Sequence, residues 1–207
     1  MRHMIHDTRS PAAILFDLDG VLVHSSEAWF LLAEEVGRRF RGRAISREEF
    51  APTFGQGTAA DIRAFGLTCT RTELDAFYIE HFRDHTRAVR VDPQSAPLLA
   101  ELHARQKKVA IVTNTVSPLA AEILRAAKLD AAFPVVACAD QVANAKPAPD
   151  LVLHALAQLD VPANRAIMIG DSRFDRMASQ GAGVRFVGLK QDGDDRIETL
   201  SQLLNLI

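Results

Sequence analysis

The chain has 207 residues, 48% hydrophobic and 24% charged, with a formal net charge of −2: enough for one well-cored domain with an insertion, and no electrostatic footprint for nucleic acid or an anionic membrane. Its two cysteines, Cys69 and Cys138, stand far apart, which argues against a disulfide framework or a zinc cluster and fits a reducing, cytoplasmic setting. The opening "MRHMIHDTRSP" lacks the apolar run of a signal peptide, and no stretch approaches the roughly 18 apolar residues of a membrane helix.

The first predicted element is a strand over Ala13–Phe16, in "ILFDLDGVLV". It runs into Asp17 and Asp19, with one residue between them. Positions i and i+2 of a strand share a face, so persisting strand geometry sets the two carboxylates side by side. Like charges that close repel and raise each other's pKa unless a cation lies between them. Three readings stand. Asp19-Gly20 is a tight turn that ends the strand. A calcium loop is a second, opposed by spacing, since its glycine belongs sixth and its acid twelfth, whereas Gly20 is fourth and Ala28 twelfth. The third is a magnesium site in which one carboxylate is also a nucleophile.

From Ser26 to Ala88 the pattern is helical, with "SEAWFLLAEEVGRRF", "SREEF", "TAADIRAFG" and "RTELDAFYIEHFRDHTRAV". Ser46 with Glu49, and Thr70 with Glu73, read as capping boxes. Residues 26–88 are therefore expected to form an all-helical cap inserted into a core of 11–25 and 89–207, over the sheet end where ligands bind in open α/β folds. Gly55-Gln56-Gly57 precedes a helix whose first amides suit an anion. That makes Gln56, Thr58 and Arg63 candidate specificity residues, with an ordinary interhelical turn as the alternative. His81 and His85 mimic a zinc spacing, but no glutamate follows His81, and the stripe with Leu74, Phe77 and Tyr78 reads as a helix face. Trp29 reads as cap core rather than substrate wall.

Beyond the insertion, strands are predicted at Val109–Val112, Val135–Ala139, Ala166–Ile169 and Val184–Leu189. None alternates, as expected of strands covered on both faces. Helices are predicted from Asp92-Pro93, from Ser117-Pro118, over 148–160 and over 173–183, and "DDRIETLSQLLNL" is expected to close the chain as another. This order implies right-handed crossovers and a Rossmann-like α/β core, a parallel sheet with helices on both faces.

Polar residues follow several of these strands. "VAIVTNT" ends on Thr113 and Asn114, "ANAKPAPD" carries Lys146, and "AIMIGDSRFD" presents Asp171 with Asp175 four residues on. Singly these read as a turn, a solvated lysine and a helix cap. In a parallel sheet, however, clusters that follow separate strands converge on one edge.

"FDLDG", "VTNT", "K-P-x-P-D" and "GDSxxD", in this order from Ile14 to about Leu189, resemble the four signatures of the haloacid dehalogenase superfamily of phosphohydrolases. The insertion resembles the first type of cap in that family, found in phosphoglycolate-phosphatase-like and β-phosphoglucomutase-like members. The resemblance implies Asp17 as a nucleophile forming an aspartyl-phosphate and Asp19 as general acid–base. Thr113 and Asn114 would bind the transferring phosphoryl group and Lys146 would stabilise its charge, with Gly20, Gln56 and Thr58 also near phosphate or substrate. Mg²⁺ would be held by the Asp17 carboxylate, the Asp19 backbone carbonyl and Asp171, with Asp175 behind them. The implied substrate is a small phosphorylated metabolite, phosphoglycolate or a sugar phosphate, and the implied assembly a monomer or weak homodimer.

Three departures qualify the resemblance. The second aspartate is absent from the dehalogenase branch and present here. Mutase-like relatives carry a histidine where this chain has Trp29, which favours transfer to water over a phosphomutase. His24 stands where an aspartate is common, and Val21 where threonine is. A receiver domain would be shorter and lack the insertion, and a non-catalytic binding protein would have lost Asp17 or Asp171.

Overall fold

A parallel sheet organises the chain, described over residues 10–207 in a computed structural model. The first nine residues, on which the signal-peptide reading mostly rests, lie outside that range. The strands are β1 (Ala13–Phe16), β2 (Val23–His24), β3 (Arg90–Val91), β4 (Lys108–Thr113), β5 (Val135–Cys138), β6 (Ala166–Gly170), β7 (Arg185–Leu189) and β8 (Asp195–Ile197). Six of them make one sheet in the order β5-β4-β1-β6-β7-β8, with every pairing parallel. β1 lies at the centre, paired with β4 on one side and β6 on the other. The strand order reverses there, which opens a crevice beyond the carboxyl ends of these strands.

Alternate residues of the central strands enter two separate cores. Ile14 and Phe16 of β1 pack with Ile111 and Ile169 in the first. Ala13 and Leu15 pack with Ala110, Val112 and Met168 in the second. Both faces are thus buried, which is why the strands show no polar alternation.

The helices are α1 (Ser26–Arg41), α2 (Arg47–Phe50), α3 (Thr58–Phe65), α4 (Arg71–His81), α5 (Ser95–Ala104), α6 (Ser117–Ala126), α7 (Asp150–Leu159) and α8 (Arg173–Ala182). Leu98 and Leu102 of α5 and Leu119 and Ile123 of α6 fill the first core, while Leu151 and Ala155 of α7 and Ala178 of α8 fill the second. The first four helices form the cap, between the two strands of an antiparallel ribbon that pairs Val23 with Val91 and His24 with Arg90. Both predicted capping boxes are formed: Ser46 Oγ accepts from the Glu49 amide and Thr70 Oγ1 from the Glu73 amide.

Three segments differ from expectation: the helical run from Arg71 stops at His81 and continues as a 3₁₀ helix over Phe82–Ala88, and two core segments change. The closing "DDRIETLSQLLNL" is not one helix: it gives β8 and then a 3₁₀ turn over Leu200–Asn205. β8 covers the edge of β7, and Arg185 holds Asp195 across the pair at 2.7 Å. Edge pairing outweighs a helical pattern that Arg196 and Ile197 only begin. The predicted start at Asp92 is a turn instead. The Asp92 carboxylate accepts from the Gln94 amide at 2.8 Å, and α5 begins at Ser95.

Candidate active site

β1 delivers Asp17 to the sheet edge, β6 delivers Asp171, and the loop after β5 brings in Lys146 from 129 positions along the chain. The Lys146 ammonium donates to Asp17 Oδ1 at 2.8 Å, Asp175 Oδ1 at 2.6 Å and the Val112 carbonyl at 2.9 Å. These three residues are almost wholly buried, with Asp17 and Lys146 each 4% exposed and Asp175 not at all. A buried ammonium with three acceptors is fully satisfied and fixed in place. Burial works to lower its pKa, but Asp17 and Asp175 outweigh burial and hold it above the usual lysine value.

Oxygens of Asp17, Asp171 and Asp175 lie within 4.8 Å of one another, the one such acidic cluster among the described residues. Two glycines permit that approach. A Cβ on Gly20, whose φ is +91°, would stand 2.0 Å from Asp171 Oδ2, and one on Gly170 would stand 2.3 Å from the Cβ of Asp175. Three carboxylates around one ammonium leave the cluster short of positive charge. Burial first, then Asp175, raises Asp17 well above the usual carboxylate range, against the pull of Lys146. The same two causes push Asp171 up to about 7. A hard divalent cation fits this donor set: the ligands are oxygens, anionic, closely spaced and under-compensated.

Asp19 lies apart from that cluster. Its Oδ1 accepts from the Ser25 hydroxyl and, at 3.0 Å, from Trp29 Nε1; its Oδ2 accepts from Thr115 Oγ1 at 2.8 Å. β1 ends at Phe16, so strand alternation no longer governs this stretch, and the side-by-side pair expected from spacing is replaced by Asp17 with Asp171 and Asp175. Trp29 packs on Tyr78 and Phe82, yet it also lines the cavity and its ring N–H reaches Asp19, so it is a wall of the site as well as cap core, against the expectation of core alone. Ser25, Trp29 and Thr115 were not legible as partners of Asp19. Only Thr115, the last residue of "VTNT", lay inside a motif.

A cavity of about 60 Å³ lies between the cap and this edge, lined by Asp17, Asp19 and Thr113 below and by Gln56, Thr58 and Asp61 above. Thr113 Oγ1 accepts from the Thr115 amide at 3.1 Å. Asn114 lines the cavity too, but its amide is committed elsewhere. Nδ2 donates to the carbonyls of Gly55 and Lys146, both at 3.0 Å, and Oδ1 accepts from the Lys146 amide at 2.8 Å. It therefore ties the Lys146 loop to the cap. Gln56 Nε2 donates to Asp61 at 2.8 Å and Thr58 Oγ1 to Asp75 at 2.6 Å, so both candidates spend their donors within the cap. Arg63 is exposed and does not line the cavity. His81 lies against the Phe77 ring and His85 Nε2 lies 3.1 Å from Glu35, so the two serve different neighbours. His24 sits at the ribbon, 3.2 Å from Asp92.

Fold and site define a doubly wound α/β protein with an acidic, lysine-braced centre under a helical cap. Residues 14–189 match the family described as haloacid dehalogenase-like hydrolase. Similar sequences include a candidate pyrophosphatase PpaX of Caldanaerobacter subterraneus, 31% identical over 94% of each chain. Another is a phosphoglycolate phosphatase of Pseudomonas fluorescens, 29% identical over 87% of this chain and 70% of that one. Among solved structures, CbbY from Rhodobacter sphaeroides in complex with phosphate is 26% identical with a TM-score of 0.81, covering 93% of this chain and 96% of that one. The chain belongs to the haloacid dehalogenase-like hydrolases.

Proposed function

We propose that this chain is a Mg²⁺-dependent phosphatase that hydrolyses a small phosphorylated metabolite through an aspartyl-phosphate on Asp17. The observation that carries the reading is the convergence of Asp17, Lys146, Asp171 and Asp175 on one buried point, with Asp19 separately held across the same cavity. Similarity to proteins named phosphatase and pyrophosphatase supports the reaction class.

In the first half-reaction an Asp17 oxygen attacks phosphorus while the bond to the leaving oxygen breaks, and Asp19 gives that oxygen a proton. In the second, water attacks the phosphorus of the aspartyl-phosphate, Asp19 takes the proton, and phosphate departs with Asp17 restored. Each assisted proton transfer contributes about 10²–10⁴-fold. Splitting one difficult displacement into two is what a nucleophilic carboxylate contributes. Lys146 fixes the attacking carboxylate through its bond to Asp17 Oδ1, and its buried ammonium adds positive charge behind that carboxylate without reorganisation. Asp17, Asp171 and the Asp19 backbone carbonyl would hold Mg²⁺, with Asp175 anchoring Lys146 behind them. That ion would neutralise equatorial oxygens of the phosphoryl group.

Transfer to water is favoured over transfer back to substrate because Trp29 donates to Asp19 where mutase-like relatives carry a histidine. No helix of the described residues is long and apolar enough to cross a membrane. The test is phosphate release from a panel of small phosphate esters with and without Mg²⁺. Hydrolysis that depends on Mg²⁺ is expected. Metal-independent turnover, or isomerisation of a sugar phosphate faster than its hydrolysis, would reject the reading.

A further inference from the structure

The cavity is unlike at its two ends. Below, the acids are braced by the Lys146 ammonium. Above, α3 presents Asp61, whose two oxygens take only neutral donors: Gln56 Nε2 at 2.8 Å and the Tyr78 hydroxyl at 3.0 Å. The walls between are aromatic, from Trp29, Phe50, Phe54 and Phe65. No lysine, arginine or histidine side chain of the described residues lines the space. Arg63, two residues from Asp61, is exposed, and Arg71 turns to Asp75 at 3.4 Å.

On the phosphatase reading above, we propose that Asp61 sets leaving-group specificity: the enzyme takes phosphate monoesters of a neutral or amine-bearing alcohol and rejects those whose leaving group carries a second negative charge. A carboxylate has about four lone-pair sites, and each Asp61 oxygen has one donor, so capacity remains for a hydroxyl or ammonium arriving with substrate. Once Asp61 is ionised, above about pH 7, a carboxylate or second phosphate in the same place would be desolvated by the aromatic walls and would meet a like charge with no cationic side chain to offset it. Burial, the largest influence, pushes Asp61 up to about 7 against its two donors, with nearby Asp75 adding to the rise. No charged side chain of the described residues pairs with this acid; only the N-terminus of α3, in whose first turn it lies, offers it partial positive charge. Gln56 and Thr58 act here as positioning residues, holding Asp61 and Asp75.

The test compares, at pH 8, kcat/KM of the full chain with Mg²⁺ on phosphoethanolamine, glycerol phosphate, phosphoglycolate, pyrophosphate and p-nitrophenyl phosphate, for wild type and Asp61→Asn. Wild type is expected to favour the first two over phosphoglycolate and pyrophosphate by about ten-fold or more. Asp61→Asn keeps the shape and removes the charge. It should shrink the phosphoethanolamine-to-phosphoglycolate ratio about ten-fold, a change in preference that a merely structural role would not produce. A wild type that prefers phosphoglycolate or pyrophosphate, or a ratio unmoved by Asp61→Asn, overturns the proposal and leaves the phosphatase reading intact. No turnover of any of the five, p-nitrophenyl phosphate included, overturns both.

Discussion

Two carboxylate environments face each other across one small cavity, and they differ in what balances them. Asp17 and Asp175 share an ammonium from their own chain, whereas Asp61 has an amide and a phenol. The core edge carries an ammonium of its own and, with the divalent cation its remaining acids fit, suits a constant object, the phosphoryl group. The cap leaves one charge to be answered by whatever is attached to that group. Separating the constant from the variable in this way lets the reaction and its selectivity be perturbed independently.

Breaking the core side should have the largest effect. Asp17→Asn removes the proposed nucleophile and should lower kcat on the order of 10³-fold or more. The same change relieves repulsion with Asp175 and Asp171, so the melting temperature should hold or rise. An inactive variant that is also unfolded would say that Asp17 is structural.

Gly20→Ala tests the acidic cluster without touching an acid. The added Cβ would stand 2.0 Å from Asp171 Oδ2 at a φ of +91°, so Asp171 must shift. The Mg²⁺ concentration for half-maximal rate should rise about 10–100-fold; an unchanged Mg²⁺ requirement would remove Asp171 from the ligand set. Trp29→Phe keeps the aromatic packing and deletes one donor to Asp19. A loss near ten-fold in kcat, with KM moving less, is the size expected of one hydrogen bond used in the reaction.

The cap side gives the smallest effect and a pH signature. Asp61 titrates near 7 when folded against an ordinary 3.8, with Asp75 and Tyr78 facing it. Between those values the folded chain holds a proton that the unfolded chain has lost, so this group's contribution to stability falls as pH rises through the window and is lowest above 7. Asp61→Asn should therefore raise the melting temperature by about a few degrees at pH 8 and change it little near pH 4. A gain that is equal at both pH values would point to packing instead.

Much of the core was legible from the chain alone. Ala13–Phe16 forms a strand at its predicted boundaries because four apolar residues stop abruptly at two acids and a glycine. The sequence order alone places Asp17, Lys146 and Asp171 at one edge, because a parallel sheet sends every strand exit to one side. Local periodicity could not follow Asp19 once β1 ended, since its partners lie 6, 10 and 96 positions away. The ribbon strands β2 and β3 have two residues each and β8 three, too few to show a period. Asp61 carried a faint signal, standing three positions after Thr58 and so on the same helix face, but its isolation from any cation is a property of the folded cavity.

The central claim is that Asp17 carries the phosphoryl group and Asp19 handles the protons, and one measurement addresses both. p-Nitrophenolate leaves without needing a proton, so Asp19→Asn supplied with p-nitrophenyl phosphate should still form the aspartyl-phosphate and then fail to hydrolyse it. The prediction is a burst of one p-nitrophenolate per active site, with a phosphoryl group located on Asp17 by mass spectrometry of the acid-quenched protein. Steady turnover with no phosphorylated protein, or a phosphoryl group on any other residue, would contradict the account.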